Sequence, residues 1–215
     1  MRAAIVEAFG PFDGIRVKEI EAPSPAAGEI LIRVSLAGVN FADAGMVSGR
    51  TPRRQPPFIP GVEAAGVVEA VGAGVTDHRT GDRVAYWDPL PRAFAELVAV
   101  PAWRAVTIAA GVPDEIAVAL MVQGTTAHYL TTDSFRLGPG HTCLIHAAAG
   151  GVGQLLVSIA ACAERGRLRS SAAKRRLRSR KSWGPRKSST ACAATSRKSC
   201  ERSPTGRGPT WCTTA

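Results

Sequence analysis

The chain has 215 residues, 45% of them hydrophobic and 20% charged, enough to bury one good core or two small ones. Its net charge of +10 would suggest a nucleic-acid or membrane partner, but residues 1–163 hold 12 basic and 15 acidic side chains while residues 164–215 hold 15 basic and 2 acidic. The body is therefore mildly acidic, which excludes general basicity as a guide to its partner, and the whole excess lies in the tail.

The opening MRAAIVEAFG meets an acid at Glu7, so no signal-peptide core forms there, and no apolar run approaches membrane-spanning length. The five cysteines (Cys143, Cys162, Cys192, Cys200 and Cys212) make no C-x-x-C pair, so neither a disulfide framework nor a zinc knuckle is expected. The expectation is a cytoplasmic chain with no membrane partner.

Residues 1–101 read as a β domain. AAIV, GIRVKEIEAP, EILIRVSLAGV, EAAGVVEAVG, DRVAYW and AFAELVAV are short valine-rich or alternating runs. PSPAAG, PPFIPG, GAG and WDPLP separate them, as in a partly open barrel or sandwich. In the clearest strand Ile30, Ile32 and Val34 share one face, with Leu31 and Arg33 opposite. From Asp114 the texture changes: PDEIAVALMVQGTTAHYLT starts with a proline and two acids, good helix N-terminal chemistry, and continues at helical spacing.

RLGPGHTCLIHAAAGGVG follows, with a short apolar run from Thr142 to His146 and then a glycine cluster. Val152, Leu155, Leu156, Ile159 and Ala160 next fall on one helix face. Strand, glycine turn and helix open a βαβ unit. In a dinucleotide fold the chain must turn sharply there, approach a pyrophosphate without a Cβ in the way and pack helix on strand, while the helix's free N–H groups meet the phosphates. Ala148, Gly150, Gly151, Val152 and Gly153 are the candidate cofactor-binding residues, with Ala148 where the G-x-G-x-x-G pattern has its first glycine. A helix cap in another α/β protein is the plainer alternative.

LIHAAAGGVGQLLV resembles the cofactor turn of the zinc-independent medium-chain dehydrogenase/reductases, the quinone oxidoreductase (zeta-crystallin-like) branch. AGVNFAD (37–43), PGVEAAGVVEAVGAGV (60–75), GDRV (81–84) and QGTTAHYL (123–130) support the resemblance in the family's order, over residues 1 to about 162. It implies an α/β fold: a GroES-like β domain over 1–113, then a Rossmann domain of which 114–163 is only the start. It also implies NADPH as cofactor and a quinone or α,β-unsaturated carbonyl (enone) as substrate.

In the zinc enzymes of the superfamily a cysteine and a histidine of these motifs hold the catalytic metal. Asn40 and Val62 stand at those places, and no cysteine precedes Cys143, so no metal site is expected. By resemblance Asn40 and Asp43 are the catalytic candidates, Asn40 hydrogen-bonding a carbonyl oxygen as hydride arrives at the conjugated carbon. Thr126 is placed beside the nicotinamide ribose or ring. The plainer readings are that Asn40 caps a turn, Asp43 caps a helix, and His128, Tyr129 and His146 are core or packing residues. Tyrosines often follow the family's N-x-x-D motif and shape the quinone pocket; Gly45 and Thr51 occupy those places, a departure that tells against quinones more than against enones.

After Cys162 the resemblance stops. A Rossmann domain next needs a second apolar strand, its ribose reader about twenty residues beyond the glycines, yet residues 164–215 have no valine or isoleucine and only Leu168 and Leu177 as larger aliphatics. The expectation is a disordered basic tail with no buried strand. Three explanations compete: a nucleic-acid-binding arm, which would make the chain a basic-tailed binding protein, a lipid-binding polybasic segment, or a shifted reading frame.

The genetic code favours the last. Read from each codon's third base, Pro209 to Ala215 permits Asp-Val-Val-(Tyr/His)-Asp-Gly, and Ser182 to Thr190 permits Leu-Gly-Ala-Ala-Glu-Val-Ile-Asp. The glycine from Trp183-Gly184 and the valine from Trp211-Cys212 are forced. Both strings resemble the family's LGA-x-EVID and DVVYD segments, in order. On this reading translation leaves frame near residues 160–163, and the truncated chain is expected to be inactive, with weak or absent cofactor binding and no specific nucleic-acid partner. The family's homodimer, which uses the Rossmann sheet edge, is not expected.

Overall fold

In the computed structural model, residues 1–137, 141–162, 167–170 and 212–213 are described, the last two stretches by backbone alone. The rest of the expected basic tail lies outside the described residues. The chain divides into two compact units, Met1–Val122 and Gln123–Ala215.

The first unit begins with the antiparallel pair β1 (Arg2–Ile5) and β2 (Arg16–Glu19). Its main sheet is antiparallel and five-stranded, in the order β6-β3-β4-β5-β7. These strands are β3 (Glu29–Gly38), β4 (Glu63–Val71), β5 (Arg83–Trp87), β6 (Leu97–Pro101) and β7 (Ala105–Thr107). Ile30 and Ile32 are wholly buried, with Val34 packed beside them, against Val68, Val84, Tyr86, Val98 and Val100. That is the face the alternation predicts, while Arg33 on the other face pairs with Glu69. Leu31 is also buried, next to its cross-strand partner Ala99.

Helix α1 (Phe41–Val47) follows β3 directly and buries Met46 and Val47 against Val6, Phe58 and Val62. Helix α2 (Asp114–Ala119) also packs on this unit: Ala117 and Val118 cluster with Ala65, Ala85 and Ile108. Asp114 at its first turn pairs with Arg83 and accepts a hydrogen bond of 2.6 Å from Ser35, pinning the helix N-terminus to the sheet. The first compact unit, Met1–Val122, therefore includes α2.

The helical stretch from Asp114 has one interruption. Between α2 and α3 (Thr125–Thr132), residues Leu120–Gly124 form a π-helical segment. In the second unit, β8 (Thr142–Ile145) leads through the glycine turn into α4 (Gly151–Cys162). Leu156 and Ala160 are buried with Val152, Leu155 and Ile159 packed around them, against Cys143, Ile145 and Ala127. The face read from the 3.6-residue period is the face that is buried.

Two features differ from expectation. Beyond residue 163 no strand is expected, yet β9 (Arg167–Ser170) and β10 (Cys212–Thr213) pair in parallel with β8, one on each side. Ladder bonds join backbone to backbone and require no apolar side chain, so composition alone does not forbid them. His128 and Tyr129, read as core residues, are exposed. Ala127 and Thr131, one turn apart, form the buried face of α3 instead.

Candidate active site

The junction of β3 and α1 carries the first set of candidate residues. Asn40 is the N-cap of α1, with extended backbone (φ −115°, ψ 157°). Asp43, three residues on, accepts the Asn40 backbone N–H at 2.7 Å through Oδ2, the reciprocal half of a capping box. Asp43 is wholly buried and its Oδ1 has no hydrogen bond of normal geometry. Burial pushes its carboxyl above the usual range, the backbone N–H groups of Asn40 and Gly61 and the charge of Arg53 pulling the other way. Asp43 is thus the N3 member of the capping box rather than the N-cap, and it closes the first turn of α1 from inside the protein.

A third residue completes this site. Glu63, the first residue of β4, is 1% exposed. Its Oε1 accepts from Asn40 Nδ2 at 2.7 Å, and its Oε2 accepts from the backbone N–H of Val122 at 2.7 Å. Burial raises its carboxyl from the ordinary value, the two donors oppose that, and the nearby Asp43 adds to it. Gly38, the cross-strand partner of Glu63, leaves the space this side chain fills; a methyl there would overlap the carboxylate. Sequence reasoning did not single out Glu63, although a lone acid in the apolar run VEAAGVV was a signal.

Val62, at the place of the zinc enzymes' histidine, is buried among Val6, Met46, Val47 and Phe58. Gly45 and Thr51, where the family often has tyrosines, are in contact: the Thr51 N–H bonds to the Gly45 carbonyl at 3.0 Å, and its hydroxyl lies over the Gly45 Cα. A side chain at 45 would displace Thr51.

The second set lies in the other unit. Thr126 is half-buried on α3, and His146 is half-buried just after β8. At the turn, Ala147 adopts the left-handed conformation (φ 48°), Ala148 is wholly buried, and the Gly150 N–H bonds to the Ala147 carbonyl at 2.7 Å. A Cβ at Gly153 would come within 2.7 Å of Ala148 Cα and overlap the Ala147 carbonyl. Gly153 is therefore needed for α4 to pack closely on the turn, the role the third glycine of a dinucleotide fingerprint fills. Gly151 is tight for a different reason: the movable amide end of Gln123 lies where its Cβ would be. Val152 packs towards the core. Gln123 too went unread, because its contact depends on how α3 and α4 meet. The residues of the turn fit a dinucleotide pyrophosphate, with glycine backbone at the N-terminus of a 12-residue helix.

A sheet domain of this topology followed by a strand, a glycine turn and a helix defines a class, and comparison with known proteins agrees. Residues 26–137 match the family described as Alcohol dehydrogenase GroES-like domain, and the chain belongs to it. Within that family it stands with the quinone oxidoreductase branch of the medium-chain dehydrogenase/reductases.

The human synaptic vesicle membrane protein VAT-1 homolog is 38% identical over 162 residues, covering 74% of this chain and 41% of that protein. A probable quinone oxidoreductase of Schizosaccharomyces pombe is 40% identical over 152 residues, covering 70% and 46%. The crystal structure of Escherichia coli quinone oxidoreductase complexed with NADPH superposes with a TM-score of 0.79 at 29% identity, covering 83% of this chain and 55% of that one. The chain thus spans less than half the length of the two curated relatives. Among the described residues, no helix is long and apolar enough to cross a membrane.

Proposed function

We propose that this chain carries the substrate unit and the opening of the cofactor unit of an NADP-dependent reductase of quinones or α,β-unsaturated carbonyls that works without zinc. As it stands, the chain does not turn over. The glycine turn between β8 and α4 carries the reading, since Gly153 has no room for a side chain and glycine backbone lies at the N-terminus of a 12-residue helix.

When bound, NADPH supplies the hydride. Ala148, Gly150, Gly151, Val152 and Gly153 would hold its pyrophosphate, with Thr126 beside the nicotinamide end. Asn40 would donate the second N–H of Nδ2, the first being held by Glu63, to the substrate's carbonyl oxygen as negative charge develops there, and Asp43 and Glu63 hold Asn40 in place from the buried side. The Gly45–Thr51 contact leaves no tyrosine to flank a quinone ring, so a small enone is the favoured substrate.

Residues 164–215 are, on this reading, out-of-frame translation rather than a nucleic-acid-binding arm, and they lack a ribose reader. The test compares the 215-residue chain with a frame-restored one. The restored chain should be protected by NADPH against unfolding and should oxidise it in the presence of an enone. Asn40→Ala should lower that turnover about 10²-fold or more, as loss of an oxyanion donor does. A restored chain that ignores NADPH, or an Asn40→Ala variant of unchanged rate, would overturn the proposal.

A further inference from the structure

Glu63 is a buried carboxylate around which three separate elements have been shaped. β3 ends in Gly38, whose missing side chain makes its room. α1 begins at Asn40, whose carboxamide nitrogen donates to Oε1. The helical stretch from Asp114 passes Val122, whose N–H donates to Oε2.

An N–H inside an α-helix ordinarily bonds to the carbonyl four residues back. The Val122 N–H is directed to Glu63, and Val122 lies at the centre of the π-helical segment Leu120–Gly124. A side chain inserted into the ladder is one of the few established causes of such local irregularity. Both partners of Glu63 are donors, so the site requires an acceptor on each oxygen. A glutamine would place an N–H opposite one of them, and a lost partner for a buried donor leaves that donor's desolvation penalty unmet.

We propose that Glu63 is a positioning residue for Asn40. Its carboxylate fixes which end of the Asn40 carboxamide faces inward, and through Val122 it anchors the π-helical segment. A carboxamide can flip end for end with little change in shape; opposite a carboxylate that accepts at 2.7 Å, only the nitrogen-inward orientation is satisfied. The inference rests on the proposed reading that Asn40 holds the substrate's oxygen, but the contact is testable without substrate.

The experiment is ¹⁵N NMR of the 215-residue chain, following the Asn40 side-chain NH₂ pair and the Val122 amide through an acid titration. In the parent chain both sets should shift together as Glu63 titrates, with the neighbouring Asp43, which accepts the Asn40 backbone N–H, acting in addition on Asn40. In Glu63→Gln both should move from their parent positions and the common titration should vanish. Gly38→Ala, whose methyl displaces the carboxylate, should reproduce the displacement with Glu63 still present. Asn40 and Val122 signals that stay put in either folded variant would overturn the proposal. If both variants unfold, Glu63 serves the fold and not Asn40, which also overturns it. Unchanged NADPH-dependent turnover in a frame-restored Glu63→Gln chain whose Asn40 signals have moved would instead count against the substrate role of Asn40.

Discussion

Asp43 illustrates how much a single residue's meaning depends on burial. The sequence offers it as a catalytic group or as a helix cap; it is wholly buried and accepts the Asn40 backbone N–H from the N3 position of α1, whose N-cap is Asn40. Its folded-state carboxyl is raised chiefly by burial. A group of this kind contributes stability that is fully present below its unfolded pKa and is lost as pH rises through the folded value. Asp43→Asn removes that dependence, so the variant should gain on the parent, in unfolding free energy, as pH rises from the acid range to neutral. Using the difference matters because Asp114, lowered first by the Ser35 hydroxyl and then by Arg83, has the opposite sign. A difference that does not change with pH would contradict the placement of Asp43.

Ala147 offers a second test at this scale. Its left-handed backbone (φ 48°) disfavours any residue with a Cβ by about 1–2 kcal/mol. Ala147→Gly relieves that and adds about 0.4–1 kcal/mol of unfolded-state entropy to lose. The net expectation is a gain of up to about 1.6 kcal/mol, read from the denaturant midpoint at constant slope.

At the scale of elements, legibility followed the range of the interaction. Strands β1 to β6 and the helix α4 were readable because alternation and the 3.6-residue period are local signals, and Ile30, Ile32, Leu156 and Ala160 are buried where those periods place them. β7 is three residues long and was not read. The contact at the centre of the π segment is not a local signal, since Glu63 lies 59 positions from Val122. His128 and Tyr129 were misplaced because one helix's pattern does not say which neighbour covers it. The glycine turn makes the strongest element-level prediction: in Gly153→Ala the new methyl meets backbone rather than a movable side chain. The substitution should destabilise the second unit by about 1–3 kcal/mol, the range of overpacked cores. Gly10→Ala, with nothing within 4 Å of the added methyl, is the control.

At the scale of the whole molecule, the chain divides into a sheet unit and a second compact unit. The Met1–Val122 unit has its own cores and its candidate site. In the second unit, the buried cluster is built from α3, β8, α4 and the segments beside them. A parallel sheet of this class draws most of its stability from strands covered on both faces, and its NADP specificity from a reader on the strand after the glycine helix. The 215-residue chain should therefore show no saturable protection by NADPH in thermal unfolding, and saturable protection would contradict its proposed inactivity.

The central claim is that the chain up to about Cys162 is the first part of an NADP-dependent reductase and that the residues beyond it are read in the wrong frame. The most direct measurement is to sequence genomic DNA across the codons for residues 155–215 and onward. The account predicts that a one- or two-base correction near residues 160–163 opens a frame encoding an apolar strand and then LGA-x-EVID-like and DVVYD-like segments, in that order. Wobble bases that spell no such continuation in either alternative frame would contradict it, and the basic tail would then be a genuine part of the protein.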